Sequence, residues 1–310
     1  MDNISNILTA EERAAFALRA LYSEYGYTRY RMSKFEEYDL YANNKDFLIS
    51  KNIITFTDTD GRLLALKPDV TLSIVKNSRP SADGITKMQY NESVYRVSDN
   101  TQGFVELMQV GLECLGAITD KEIAEVLRLA SMSLDTINER NLLELSDLDI
   151  INGVIDAAGL GGEDAKQLLS ILERKDIGDA EIFCRERRIE PQTASLFSSL
   201  LTVYGKPCDV IPRLGIFKIN NRLTEAVDRF CRILATLNAE GRGDKICIDF
   251  SLVGNLKYYN GIAMRGFIDG IPKSILSGGQ YDKLMKKMGR DEGAIGFAVY
   301  FDELEKNYGI

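Results

Sequence analysis

Two long β-rich stretches joined by a short linker constrain the fold more than any other feature of the sequence. The first is KMQYNESVYRVS (87–98) and the second is GFVELMQVGLECLG (103–116). Successive side chains of a strand point to opposite faces. Gln109 and Glu113, four residues apart, therefore point to the same face. The two stretches predict neighbouring strands of a mainly antiparallel sheet.

The segments before these strands predict a helix, a hairpin and a second helix. TAEERAAFALRALYSEYG (9–26) is amphipathic, with Thr9 as N-cap and Gly26 at its end. ITFTDTDGRLLAL (54–66) has β-rich arms around an Asp-Gly turn. Asp69 follows an extended Lys-Pro and can cap a helix from Val70 onward. Together with the strands, these elements indicate an α+β fold, in which helices pack on an antiparallel sheet.

Composition narrows the class of function. The chain carries a formal net charge of −8, no histidine and five scattered cysteines without a CxxC pair. Nucleic acid binding needs a positive footprint, which an acidic chain does not favour. Without histidine the usual general base and the commonest metal ligand are missing. No apolar run approaches the roughly 18 residues of a membrane-spanning helix, and no signal-peptide pattern opens the chain. We expect a cytoplasmic protein with no metal site and no disulfide framework.

Several of these elements offer polar side chains that could converge on one pocket. Gln109 and Glu113 on one strand face can bind an ammonium group or an imidazole N–H. Arg96 suits a carboxylate, because its planar guanidinium makes two parallel charge-assisted bonds. With Asp69 and the Tyr258-Tyr259 pair they describe an amino-acid site. The residues alone leave an alternative open, in which Glu113 and Arg96 form a structural ion pair and the tyrosines only pack.

Six motifs, taken in order, resemble the catalytic domain of the histidyl-tRNA synthetases. They are LKPDVT (66–71), VYRVS (94–98), ELMQVGLE (106–113), LVGNLKYYNG (252–261), SGGQYDKL (277–284) and AIGFAVYFDEL (294–304). The resemblance runs from the first helix to the C-terminus. It implies a class II aminoacyl-tRNA synthetase-like antiparallel sheet flanked by helices. The implied core is 1–140 and 241–310, with a helical insertion at about 141–240 and no anticodon-binding domain.

The sequence departs from the aminoacylating enzymes where they handle ATP. An arginine and an aspartate of the enzymes are replaced by Gly254 and Lys257, an acid by Ser98, and two further arginines by Gln280 and Glu303. Adenylate formation concentrates negative charge on a phosphate, which positioned cations stabilise. The departures therefore predict a chain that does not activate an amino acid with ATP.

In these departures the chain resembles a paralogous family, the regulatory subunits of ATP phosphoribosyltransferase. That resemblance implies a non-catalytic subunit that is required by the short-form catalytic subunit in the first step of histidine biosynthesis. It also implies allosteric feedback by histidine, a self-dimer within a hetero-octamer, and neither tRNA nor a cofactor as ligand. The residues implied to line a remnant histidine pocket are Asp69, Thr71, Arg96, Gln109, Glu113, Tyr258 and Tyr259. The alternatives are a freestanding amino-acid adenylating or ligating enzyme and an RNA-binding synthetase-like module.

Overall fold

A computed structural model describes residues 7–48, 52–79, 84–97, 103–253, 258–302 and 304. The strands are β1 Thr28–Arg29, β2 Phe35–Glu37, β3 Thr55–Thr57, β4 Leu63–Leu66, β5 Ile85–Val97, β6 Phe104–Gly116, β7 Asn141–Asp147, β8 Tyr204–Gly205, β9 Ile246–Asp249, β10 Asn260–Ile268, β11 Leu276–Gln280 and β12 Gly293–Tyr300. The α-helices are α1 Ala10–Glu24, α2 Tyr38–Ala42, α3 Thr71–Asn77, α4 Asp120–Ile137, α5 Leu148–Ala157, α6 Gly162–Arg174, α7 Ile177–Glu186, α8 Pro191–Thr202, α9 Pro207–Val210, α10 Asn221–Ala239 and α11 Asp282–Lys287.

A nine-stranded sheet forms the centre of the fold, in the order β1-β5-β6-β12-β11-β10-β7-β9-β8. The pairs β1–β5 and β7–β9 are parallel, and every other neighbouring pair in this sheet is antiparallel. Strands β5 and β6 pair from Ile85 opposite Gly116 to Val97 opposite Phe104. The predicted α+β fold and its long antiparallel strand pair are confirmed.

The predicted hairpin belongs to a second, small sheet of order β2-β4-β3. Helix α1 begins after the expected N-cap, Thr9, which forms a capping box: Thr9 and Glu12 each accept a hydrogen bond from the other's backbone N–H. Helix α3 begins one residue later than predicted, at Thr71. Asp69 still caps it, since its Oδ1 accepts a hydrogen bond from the Leu72 N–H at 2.9 Å. The cap also places Asp69 and Thr71 beside the large sheet.

Two hydrophobic clusters meet at the tyrosine pair. The larger cluster joins the large sheet to the helices through side chains such as Leu18, Leu112 and Phe297. The smaller one lies around α3, the small sheet and α11. Tyr259 packs against both clusters, so the site described below lies at their junction.

The helical part of the chain is joined to the sheet by the same core. Residues 141–147 form β7, which lies between β10 and β9, and the run of helices follows it. Leu168 of α6 and Phe197 of α8 belong to the larger cluster together with sheet residues. The division into a core and an insertion therefore stays a prediction. In the described residues, no helix combines the length and the apolarity that crossing a membrane requires.

Helix α1 offers a matched pair of substitutions that tests this core. Leu18 is fully buried, whereas Phe16 is 52% exposed on the same helix. Leu18→Ala should lower the free energy of unfolding by about 2–5 kcal/mol, because it leaves a cavity. Phe16→Ala should cost less than about 1 kcal/mol. Urea unfolding followed by far-UV circular dichroism measures both, and equal losses would contradict the described orientation of α1.

Candidate ligand pocket

A cavity of about 250 Å³ opens on the face of the large sheet below the start of α3. Its lining includes all seven residues named from the sequence. Strand β6 supplies Gln109 and Glu113, β5 supplies Arg96, the α3 cap supplies Asp69 and Thr71, and the residues before β10 supply the two tyrosines. The sequence did not single out further lining residues, among them Phe47, Tyr90, Ser277, Tyr281, Gly296 and Tyr300.

The buried carboxyl group of Glu113 lies at one end of the cavity, 2% exposed. Its Oε1 accepts a hydrogen bond from Thr71 Oγ1 at 2.7 Å, and its Oε2 accepts one from Tyr281 OH at 2.6 Å. Burial raises the pKa of Glu113 to about 8, although both hydroxyls favour the charged form. Burial thus favours the protonated form of this carboxyl, whereas a ligand cation beside it would favour the carboxylate.

The space for this carboxyl comes from a glycine on the neighbouring strand. Gly296 of β12 lies directly opposite Glu113 of β6. A Cβ atom at position 296 would overlap the Glu113 carboxyl group. Gly296 of the AIGFAVYFDEL motif therefore has a packing role at the pocket floor, which the motif alone did not reveal.

Gln109 is the second polar pocket residue that β6 supplies. The Nε2 atom of Gln109 is buried and makes no hydrogen bond in the part of the chain that the structure describes. A buried donor of this kind is costly unless a water or a ligand satisfies it. Gln109 therefore offers a hydrogen bond to an acceptor atom within the cavity.

Asp69 and Arg96 lie on the side of the cavity next to α3. Burial raises the pKa of Asp69, opposed by the Leu72 amide and by the charge of Arg96. Arg96 donates from Nε to the Pro68 carbonyl oxygen at 3.0 Å. Glu113 and Arg96, both described, do not form an ion pair with each other. The purely structural alternative for these two residues is therefore not what the structure contains.

Aromatic rings close the remaining wall. The ring centroids of Tyr258 and Tyr259 are 4.7 Å apart, and Tyr258 also contacts Phe47 at 5.8 Å and Tyr281 at 5.9 Å. Burial raises the pKa of both Tyr258 and Tyr259 well above the usual value for a phenol, so both stay neutral. The wall is suited to the flat face of a small ring.

A second cleft of about 600 Å³ adjoins the pocket and shares Arg96, Tyr259, Ser277 and Tyr300 with it. Arg265 lies in this cleft and pairs with Glu144 at 3.2 Å. The two spaces therefore border the same four side chains.

The predicted departures from the aminoacylating enzymes fall mostly outside the described residues. Ser98, Gly254, Lys257 and Glu303 all do so. Gln280 is described: it is 4% exposed, and its Oε1 accepts a hydrogen bond from the Ile262 N–H at 3.0 Å. It does not line the cavity of about 250 Å³.

Comparison with a family model and with solved structures defines the class of protein to which the fold belongs. Residues 6–304 match the family model described as histidyl-tRNA synthetase. A crystal structure from Bacillus halodurans, described as an ATP phosphoribosyltransferase regulatory subunit/histidyl-tRNA synthetase, superimposes with a TM-score of 0.84 at 20% identity, over 96% of this chain and 79% of that one. An ATP phosphoribosyl transferase (HisG:HisZ) complex from Thermotoga maritima gives a TM-score of 0.72 at 15% identity, over 93% of this chain and 96% of the matched chain. The fold is that of the class II synthetases, as predicted.

Comparison with individual protein sequences identifies the family within this class. The chain is 31% identical over 288 residues to the ATP phosphoribosyltransferase regulatory subunit of Caldanaerobacter subterraneus subsp. tengcongensis, covering 91% of this chain and 74% of that protein. The chain belongs to the ATP phosphoribosyltransferase regulatory subunit family, which shares the histidyl-tRNA synthetase fold.

The raised pKa of Glu113 predicts a stability effect with a definite sign. The folded-state pKa of about 8 exceeds the ordinary value of 4.5. The unfolded chain thus releases this proton at lower pH than the folded chain, and the folded state loses stability as pH rises through this window. Glu113→Gln cannot ionise and keeps a neutral side chain of the same shape. The difference in free energy of unfolding, Glu113→Gln minus wild type, should therefore increase by on the order of 1 kcal/mol for each unit that the pH rises.

Urea unfolding at about pH 5, 6.5 and 8 measures this difference. The control is Glu186→Gln, an exposed glutamate of α7. A difference for Glu113→Gln that stays flat with pH, like that of the control, would contradict a buried neutral carboxyl.

Proposed function

We propose that the chain is a non-catalytic regulatory subunit, required by a short-form ATP phosphoribosyltransferase catalytic subunit in the first step of histidine biosynthesis. The observation that carries the proposal is the match to a regulatory subunit over 91% of the chain, and it is supported by one cavity that all seven predicted pocket residues line. The Thermotoga maritima complex has the same fold and is described as HisG:HisZ, a pair of unlike chains. The proposal includes a cytoplasmic location and a self-dimer within a hetero-octamer.

The proposed ligand of the pocket is histidine, and its binding gives the subunit a role in feedback control. Glu113 and Asp69 supply carboxyl groups for the ammonium group and an imidazole N–H, and Gln109 supplies an unpaired donor for a ligand acceptor atom. Arg96 borders the pocket where a ligand carboxylate would need a cation. Tyr258 and Tyr259 flank the ring.

The residue at position 280, outside the pocket, argues against amino-acid activation. A phosphoryl or adenylyl transition state needs cations placed on the phosphate oxygens. At position 280 the resembled enzymes have an arginine, whereas this chain has an uncharged amide bonded to its own backbone. The proposal therefore assigns the chemistry to the partner chain and recognition to this one. It assigns no tRNA, metal or cofactor to this chain.

The partner requirement is tested by reconstitution. The chain alone should form no phosphoribosyl-ATP, and the catalytic chain of the same organism should be activated when the two are mixed. Histidine should suppress the activity of the mixture. The measurement is the absorbance of the product over time, with co-elution of the two chains in size-exclusion chromatography as a separate readout. Two chains that neither co-elute nor change each other's activity would contradict the proposal.

The ligand is tested by calorimetry on the regulatory chain. Gln109→Leu should weaken histidine binding about tenfold, because it removes the unpaired donor. Gln192→Leu, an exposed glutamine of α8, is the matched control. Wild-type binding near pH 7 should also release a proton from Glu113, seen as a heat that depends on the buffer. If histidine binds the wild type and Gln109→Leu equally well, the pocket assignment is wrong even though the partner role can stand.

A further inference from the structure

The two pocket tyrosines lead directly into a break in the ladder between β10 and β11. Asn260 lies opposite Gln280, but the next pair in register is Ala263 opposite Gly279. Two extra residues, Gly261 and Ile262, are therefore accommodated on β10. A bulge of this kind re-aims the side chains beside it and leaves backbone groups without their regular ladder partners.

Gln280 fills the gap that the bulge creates. The Ile262 N–H points toward β11 and donates to the side-chain Oε1 of Gln280 at 3.0 Å, in place of a backbone carbonyl. The orientation of the amide is fixed by this contact, because a backbone N–H can only donate. An arginine, which the resembled synthetases have here, carries donors only and could not accept this hydrogen bond.

Gly261, the residue directly before Ile262, has no room for a side chain. Gly261 has a φ of +61°, and a Cβ atom there would overlap Gln280 Oε1 and lie 3.1 Å from Arg229 Nη2. Arg229 belongs to α10 and pairs with Asp147, the last residue of β7, at 3.4 Å and with Asp149 of α5 at 3.2 Å. The turn is therefore enclosed between the Gln280 side chain and a helix that is itself tied to the end of β7.

Contacts with β11 and with the start of α11 hold Tyr259 and the residue that follows it. The Tyr259 ring packs on Gly279, where a Cβ atom would come within 2.8 Å of its Cδ1. Asn260 donates from Nδ2 to Asp282 Oδ2 at 2.8 Å, which ties the turn to the start of α11. The position of the bulge thus determines the position of both rings in the pocket wall.

We propose that Gln280 is a positioning residue of the ligand pocket, whose side-chain oxygen fixes the β10 bulge and thereby the two tyrosines. This rests on the proposed function, in that the pocket takes an amino acid. Gln280 lies outside the cavity and would not touch the ligand. Gln280 in place of the synthetase arginine therefore removes a positive charge and also adds a hydrogen-bond acceptor.

The test compares Gln280→Met with Gln280→Glu in the full chain. Methionine has a similar length but only a weak acceptor, whereas glutamate restores an oxygen at the same reach. Gln280→Met should weaken histidine binding about tenfold, and Gln280→Glu should recover most of the affinity. The exposed variant Gln192→Met is the control. An affinity loss in Gln280→Met that Gln280→Glu does not recover would contradict a role of the acceptor oxygen.

A second readout does not depend on the ligand. In protein labelled with 3-fluorotyrosine, the Tyr258 and Tyr259 resonances, assigned with Tyr258→Phe and Tyr259→Phe, should shift in Gln280→Met and return in Gln280→Glu. Unmoved resonances in Gln280→Met, or equal histidine affinity in wild type and both variants, would overturn the proposal.

The two readouts separate the failure of this proposal from that of the proposed function. If the wild type does not bind histidine, the ligand assignment fails, and the fluorine spectra alone decide the role of Gln280. If Gln280→Met does not fold, Gln280→Asn replaces it, since its oxygen is withdrawn by one methylene. Spectra that are the same in the wild type, Gln280→Asn and Gln280→Glu would then overturn the positioning role.

Discussion

The pocket depends on one buried carboxyl group and the hydroxyls that hold it. Glu113 is far enough inside the protein that its charge is costly, yet Thr71 and Tyr281 donate to both of its oxygens. These two donors come from α3 and from the residue before α11, so the carboxyl ties the small-sheet side of the molecule to the end of the large sheet. The register between β6 and β12 then makes a glycine at 296 necessary.

Under the proposed function, this arrangement would let a synthetase-like pocket persist without synthetase chemistry. Recognition of an amino acid needs carboxyl groups, one free donor and flat walls, all of which the cavity contains. Activation needs additional cations around a phosphate. At Gln280 the structure has an amide that serves the backbone of its own sheet. Glutamine in place of arginine at position 280 removes a cation that catalysis would use and adds an acceptor that stabilises the pocket wall.

Much of the fold was predictable from local sequence patterns. The alternation along 103–116 placed Gln109 and Glu113 on one face, and the Thr9 N-cap and the Asp-Gly hairpin identified their elements, because each depends on neighbouring residues. The seven residues named for the pocket line one cavity, and their role as histidine ligands stays a prediction.

Other parts of the site could not be predicted because they depend on strand register. Tyr281 reaches Glu113 across 168 positions in sequence, and Gly296 matters only because β12 lies beside β6. The β10 bulge gave no local signal beyond Asn-Gly, which is equally typical of a simple turn.

The central claim is that the pocket recognises an amino acid but does not activate it. The most direct measurement is amino-acid-dependent ATP–pyrophosphate exchange by the purified chain with Mg²⁺, with a histidyl-tRNA synthetase as positive control. The account predicts no exchange above the protein-free background with histidine or any other proteinogenic amino acid. Histidine-dependent exchange that rises with enzyme concentration would contradict it and would make the chain an adenylating enzyme.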